Sequence, residues 1–229
     1  MNLTAQRVIR GVYAITPQVQ GHWTRQAVLD AVQAALEGGV RLFQCRQKHW
    51  EEDALVEFVA DLADLCMPYS AHLIVNDASA EALSMWPVQG VDGVHLGKED
   101  EPVDSARQHL PAGMLIGASC YNRLDLAEQA VKKGADYVAF GAVYSSSTKP
   151  LAVHAPLSLF EQAAHLQVPR VAIGGITLDR IAELRQAGAD AVAVVGGLFG
   201  AADVTPRPLN VLNNARHWVH EFEDWSSTP

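Results

Sequence analysis

The sequence predicts an α/β protein of the (β/α)8 barrel class, a single domain spanning residues 1–229. Three observations carry that reading. A helix-like stretch, a glycine and a strand-like run recur four times, at Glu37-Gly38-Gly39-Val40, Gln89-Gly90-Val91-Asp92, Lys133-Gly134-Ala135-Asp136 and Ala187-Gly188-Ala189-Asp190. Glycine suits the left-handed residue that ends a helix, so each marks a helix stop before a strand. The markers lie too far apart for one strand–helix unit and about right for two, which doubles four repeats to eight units. Finally, runs such as Val171-Ala172-Ile173 and Val192-Ala193-Val194-Val195 are continuously apolar, as parallel strands covered by helices must be. A doubly wound open sheet is the alternative, but no Gly-x-Gly-x-x-Gly follows the first strand.

Eight strands are expected in order: Val12–Thr16, Leu42–Arg46, Leu73–Asn76, Gly93–Leu96, Leu115–Ser119, Tyr137–Phe140, Arg170–Ile173 and Ala191–Val195. Between them, Leu55, Phe58, Val59, Leu62 and Leu65 fall at helical spacing in Asp53–Cys66. Ile181, Leu184 and Ala187 do the same in Leu178–Ala187. After about residue 204 the pattern changes. Pro206 and Pro208 interrupt the chain, and Leu209–Trp225 reads as an amphipathic packing helix with a frayed tail.

Composition narrows the function. Hydrophobic residues make up 49% of the chain and charged residues 19%, ordinary for a globular α/β protein. The net charge is −9 with no basic block, which argues against nucleic acid as a partner, because a phosphate backbone demands clustered Lys and Arg. Cys45, Cys66 and Cys120 lack metal-ligand spacing and fit reduced thiols of a cytoplasmic protein. No apolar run approaches a membrane span, and Met1 to Gly11 lacks a signal-peptide core.

In a (β/α)8 barrel, reactive groups gather at the C-terminal ends of the strands. Here the apolar runs end in Gln44, Arg46 and Lys48 on one strand face, Asn76-Asp77, Gly97-Lys98-Glu99-Asp100, Ser119, and Ser146-Ser147-Thr148-Lys149. Two more end in Gly174-Gly175 and Gly196-Gly197. Asn-Asp and Gly-Gly are also ordinary turn residues, so each cluster read singly is bland. Taken together, Asp77 and Asp100 supply hard oxygens suited to Mg2+, and Arg46, Lys48 and Lys149 supply positive charge around them. That combination describes a diphosphate site whose leaving-group charge is neutralised. The glycines suit a second phosphate approached by backbone amides. Two phosphate-bearing ligands imply group transfer. No nucleophile–base pair is evident, since Ser119, Ser146 and Cys120 have no obvious histidine partner, and His95 reads as a satisfied core residue.

Taken in order, these residues resemble the thiamine phosphate synthase family. The resemblance runs from about Gly11 to Asp203 and rests on Tyr13-Ala14-Ile15-Thr16, Gln44-x-Arg46-x-Lys48, Asn76-Asp77, Gly93-Val94-His95-Leu96-Gly97-x-Glu99-Asp100, Gly117-x-Ser119, Ser146-Ser147-Thr148-Lys149 and Ala172-Ile173-Gly174-Gly175-Ile176. It implies an enzyme joining a hydroxymethylpyrimidine diphosphate to a thiazole phosphate with release of diphosphate. On that likeness Arg46, Lys48 and Lys149 hold the diphosphate, with Asn76, Asp77 and Asp100 around Mg2+ and Asp77 and Asp100 as its ligands. Gln44 and Ser119 orient the pyrimidine, Ser119 joining the three cations as catalytic. Ser146, Thr148, Gly174, Gly175, Val195 and Gly196 receive the thiazole phosphate. The chain departs from the family in Lys98, where Gln is usual, and in Gly196, where Ser is common. Pro150–Pro156 reads as a loop over the site.

Three rival readings remain at this level: a thiazole tautomerase on the same barrel, a non-catalytic thiazole-phosphate-binding regulator, and an unrelated phosphate-binding barrel isomerase. The first has no use for a metal–diphosphate constellation, the second has little reason to keep the Mg2+ acids, and the third would show an acid–base pair at strand ends, which is not evident. A homo-oligomer is compatible with the sequence.

Overall fold

A computed structural model describes residues 2–48, 50–77, 90–145 and 154–223. Eight parallel strands close into a barrel in sequence order, with β8 returning to pair with β1. The strands are β1 (Gly11–Ile15), β2 (Leu42–Cys45), β3 (His72–Asn76), β4 (Gly93–Leu96), β5 (Leu115–Tyr121), β6 (Tyr137–Phe140), β7 (Arg170–Ile173) and β8 (Ala191–Val194). All eight expected strands are present, β4, β6 and β7 with the expected ends and the other five with ends moved by one or two residues. β2 stops at Cys45, before Arg46, and β5 runs past Ser119 to Tyr121 through a register shift against β6.

Period-two alternation divides the core. Val12, Ala14, Phe43, Cys45, Val75, Val94, Ile116 and Val138 face outward against the helices, in one large apolar cluster. Tyr13, Ile15, Leu42, Ile74, Leu115, Tyr137, Val171 and Ala191 fill the barrel interior. The N-terminal mouth is plugged by a short helix, α1 (Leu3–Val8), whose Ala5 and Val8, with Ile9, pack into that interior. This helix was not anticipated, because six residues carry too little periodicity to be read. Asn2 caps it, accepting from the Thr4 and Ala5 amides, and donates to Asp136 Oδ1 at 2.6 Å.

The outer helices described are α2 (Arg25–Glu37), α3 (Glu52–Cys66), α4 (Val103–His109), α5 (Leu124–Lys132), α6 (Ser158–Gln162), α7 (Ile181–Ala187), α8 (Gly196–Phe199) and α9 (Pro208–Glu223). The expected helix from Leu178 divides into a 3-10 turn, Leu178–Arg180, followed by α7. Among the described residues no helix is long and apolar enough to cross a membrane. Pro208 opens α9, where its missing amide costs nothing. α9 lies against α2 at Gly38, whose absent side chain makes room: a Cβ there would fall 2.4 Å from Ala215 Cβ.

The repeat found in the sequence has a structural cause. Its four markers precede β2, β4, β6 and β8. In three of them the aspartate reaches back to the preceding strand: Asp92 Oδ2 accepts from the Leu73 amide, Asp136 Oδ2 from Ile116, and Asp190 Oδ2 from Arg170, at 2.8, 2.9 and 2.8 Å. Each carboxylate thus clasps two neighbouring strands at the N-terminal end. In the first repeat Arg41 stands instead, donating to the Leu36 and Val40 carbonyls.

Candidate active site at the C-terminal rim

The loop after β1 shapes the first cluster. Thr16 Oγ1 accepts from the Arg46 amide at 3.0 Å, and Gln18 Oε1 accepts from the Lys48 amide at 2.9 Å. Gln47, pointing oppositely to its neighbours, is buried; its Oε1 accepts from the Val19 amide and its Nε2 donates to the Pro17 carbonyl, both at 2.8 Å. This bracing leaves Arg46 half-buried and Lys48 exposed at the rim, while Gln44 turns into the barrel. Gln18 and Gln47 were missed as organisers. The available signal was that Gln47 has the opposite parity to Gln44, Arg46 and Lys48.

On the next strands Asn76 pairs in register with His95. Asp77 follows in the left-handed region, φ 55°, which Asp tolerates better than most residues. Its amide donates to the His95 carbonyl at 3.0 Å. Asp100 is turned back by the Gly97 amide, and a Cβ at Gly97 would lie 2.9 Å from Asp100 Oδ2, so only glycine leaves the carboxylate its place. The two carboxyls meet. Asp77 is pushed up to about 6, first by loss of solvent around the carboxyl, then by the hydrogen bond and charge of Asp100; Lys48 and Arg46 pull it back. Two carboxyls side by side within the field of two cations are a donor set that a divalent ion would fit. Among the described residues no group of three or more acids, histidines or cysteines is placed to hold a metal ion. Lys98 and Glu99 point to solvent.

Below the rim, five polar side chains cross the barrel interior. Gln44 Nε2 donates to the Tyr13 hydroxyl at 3.0 Å; Tyr13 and Tyr137 hydroxyls are 2.9 Å apart. The Tyr137 hydroxyl is 3.1 Å from His95 Nδ1, and His95 Nε2 is 2.9 Å from Ser119 Oγ. His95 is a buried, satisfied residue as expected, but Ser119 does have a histidine partner, contrary to the sequence reading. They are 24 residues apart and meet only because β4 and β5 are neighbours. Burial lowers the His95 value to about 4, with Arg46 acting the same way and Asp100 opposing, so the ring is neutral near pH 7. Burial pushes both tyrosine hydroxyls up. The tyrosines carry no charge signal in a sequence, and their polar tips were legible only as strand apolars.

The opposite side of the rim is backbone. Gly174 and Gly175 end β7 with φ of 103° and 63°. Side chains there would collide with Ala142 Cβ at 2.6 Å and with the Ser145 carbonyl oxygen at 2.6 Å. Val195 is exposed, and Gly196 opens α8 with nothing near its missing Cβ. α8 is held from behind by α9: Trp218 Nε1 donates to the Gly197 carbonyl and Asn214 Nδ2 to that of Leu198, each at 3.0 Å. The C-terminal helix therefore buttresses this part of the rim. Ser146, Ser147, Thr148 and Lys149 lie outside the described residues, as does most of Pro150–Pro156. At the next described residue, His154 Nδ1 contacts the Val143 carbonyl at 2.9 Å and its Nε2 the Ser145 hydroxyl at 3.0 Å.

The family model of thiamine monophosphate synthase matches residues 12–198. The chain belongs to that family. It is 47% identical over 195 residues to a thiamine-phosphate synthase of Chromobacterium violaceum, covering 85% of this chain and 91% of that relative. A thiamine-phosphate synthase of Methylobacillus flagellatus is 45% identical over 199 residues, 87% and 92% of the two chains. Among solved structures, a thiamine phosphate pyrophosphorylase from Pyrococcus furiosus superposes with a TM-score of 0.77 at 30% identity, covering 97% of this chain and 98% of that one. As a member of the thiamine monophosphate synthase family the chain is an enzyme, a transferase. The matched span includes every rim residue described above and all eight strands apart from Gly11, the first residue of β1.

Proposed function

We propose that this transferase condenses 4-amino-5-hydroxymethyl-2-methylpyrimidine diphosphate with 4-methyl-5-(2-phosphooxyethyl)thiazole, giving thiamine phosphate and diphosphate. The observation that carries the reading is the meeting of the Asp77 and Asp100 carboxyls within the field of Arg46 and Lys48. A tautomerase, a phosphate-binding regulator or a barrel isomerase has no use for that arrangement.

In this reading Gln44 and Ser119 orient the pyrimidine inside the barrel mouth. Its electron-rich ring supports positive charge at the methylene carbon, so the carbon–oxygen bond breaks with both electrons leaving on the diphosphate. Arg46, Lys48 and Lys149 stabilise that departing charge, alongside Asn76. Mg2+, held by Asp77 and Asp100, would supply further neutralisation of the leaving group. The thiazole nitrogen then forms the new carbon–nitrogen bond, its phosphate received by Ser146, Thr148, the Gly174 and Gly175 amides and the Val195-Gly196 backbone. No protein group has to abstract a proton, which agrees with a neutral His95 whose Nδ1 meets the Tyr137 hydroxyl. Placement and exclusion of water do the rest. We place the enzyme in the cytoplasm, acting on small molecules, as a possible homo-oligomer.

The test is diphosphate release from the two substrates, with and without Mg2+. Release requiring both substrates and the metal, with thiamine phosphate formed, supports the reading. Tight thiazole-phosphate binding without release would overturn it in favour of a tautomerase or a regulator.

A further inference from the structure

We propose that Tyr13, Tyr137 and His95 form a hydrogen-bond relay of fixed direction that presents Ser119 as a donor and Gln44 as an acceptor, selecting an amino- over an oxo-pyrimidine. The three are positioning residues: they act through Gln44 and Ser119. The inference deepens the proposed function and rests on it for the identity of the ring.

The direction follows from counting protons. Gln44 Nε2 can only donate, so the Tyr13 oxygen accepts. Tyr13 has one proton, and its remaining partner among the described residues is the Tyr137 oxygen. The Tyr137 proton then goes to His95 Nδ1, which leaves the neutral ring protonated at Nε2 and donating to Ser119 Oγ. Among the described residues the Ser119 proton and Gln44 Oε1 meet no further partner, and both remain for a ligand. Running the chain backwards with this amide orientation strands the Tyr13 proton in a fully enclosed place, where an unmade hydrogen bond is costly. A reversal therefore has to flip Gln44, both tyrosines and the His95 tautomer together.

Packing holds the relay in line. A Cβ at Gly117 would fall 2.0 Å from Tyr137 Cζ and 2.3 Å from its hydroxyl oxygen, so that glycine is the slot in which Tyr137 lies. The Tyr13 and Tyr137 rings meet edge to face, centroids 6.2 Å apart. An aminopyrimidine offers an amine N–H beside a ring-nitrogen acceptor, which complements a Gln44 acceptor and a Ser119 donor. An oxo-pyrimidine offers the reverse pattern and would leave both ends mismatched.

The test has two parts on the full chain. Nitrogen-15 NMR of ligand-free protein should show His95 as the Nε2–H tautomer; the Nδ1–H tautomer would overturn the direction, whatever the enzyme's activity. Calorimetric dissociation constants for the aminopyrimidine diphosphate and its oxo analogue, without thiazole phosphate, should differ by on the order of a thousandfold in wild type. Tyr137→Phe cuts the relay and frees its ends to flip separately, so that ratio should fall at least about tenfold; an unchanged ratio would sink the selecting role. Tyr13→Phe makes the same cut one link away and serves should Tyr137→Phe fail to fold. Loss of thiamine phosphate formation with the Nε2–H tautomer intact would count against the proposed function and not the relay.

Discussion

The two ends of the barrel use the same side chain for opposite purposes. At the N-terminal end Asp92, Asp136 and Asp190 each accept a backbone amide from the preceding strand, and Asp136 also receives Arg107 and Asn2. At the C-terminal rim Asp77 and Asp100 are pressed against each other, and Asp77 is held at about 6. Satisfied carboxylates stabilise a fold; crowded ones cost stability and gain something to bind. That difference is what the proposed function calls for, with the acids at the rim placed for a ligand.

Substitutions that cross the two ends should separate these roles. The largest expected effect is on turnover: Asp77→Ala should lower Mg2+-dependent product formation by on the order of a thousandfold while the unfolding midpoint stays within a few degrees of wild type, relief from Asp100 offsetting the strain of Ala at φ 55°. Wild-type turnover in that variant would remove Asp77 from the metal site. Its mirror image is Asp136→Ala, which strips the acceptor from Arg107, Ile116 and Asn2. A loss of about 3 kcal/mol in urea unfolding is expected, with kcat preserved in the folded fraction; a loss below about 1 kcal/mol would mean water replaces the clasp.

A smaller effect sharpens the contrast through pH. Because the folded-state value of Asp77, about 6, lies above the ordinary 3.8, its ionisation costs stability in full above about pH 6; that cost fades as pH falls from there towards 3.8 and is gone below it. Asp77→Asn should therefore raise Tm by about 2 °C near pH 7.5, a modest gain because the rim is solvent-screened, and by nothing near pH 3.5. An equal gain at both pH values would show that the crowding is not electrostatic. The smallest effect is expected at Gly196→Ser. Nothing lies within 4 Å of the added Cβ, so stability should hold within about 0.5 kcal/mol. The new hydroxyl should lower the KM for thiazole phosphate a few-fold; a rise would mean that this amide already fills the subsite.

Much of this was legible in the chain. The glycine markers located the even strands, and the polar residues ending each apolar run located the rim, because both depend on local rules of helix stops and strand alternation. Gln44, Arg46 and Lys48 did fall on the expected side, although β2 itself ends before Arg46. The aspartates of the repeat were visible as letters without a purpose, since the amide each one holds lies about twenty residues earlier. α1 gave no periodic signal, and its seat exists only once the barrel has closed.

By itself the sequence determined the number, order and direction of the strands, and which residues stand at their C-terminal ends, since these follow from hydrophobic period and turn chemistry. Only the tertiary structure decided which polar groups face one another. Closure brings β1, β2, β4, β5 and β6 around one interior, where Gln44, Tyr13, Tyr137, His95 and Ser119 meet at 2.9 to 3.1 Å. Alternation tells a side chain to point inward but cannot say what it will find there.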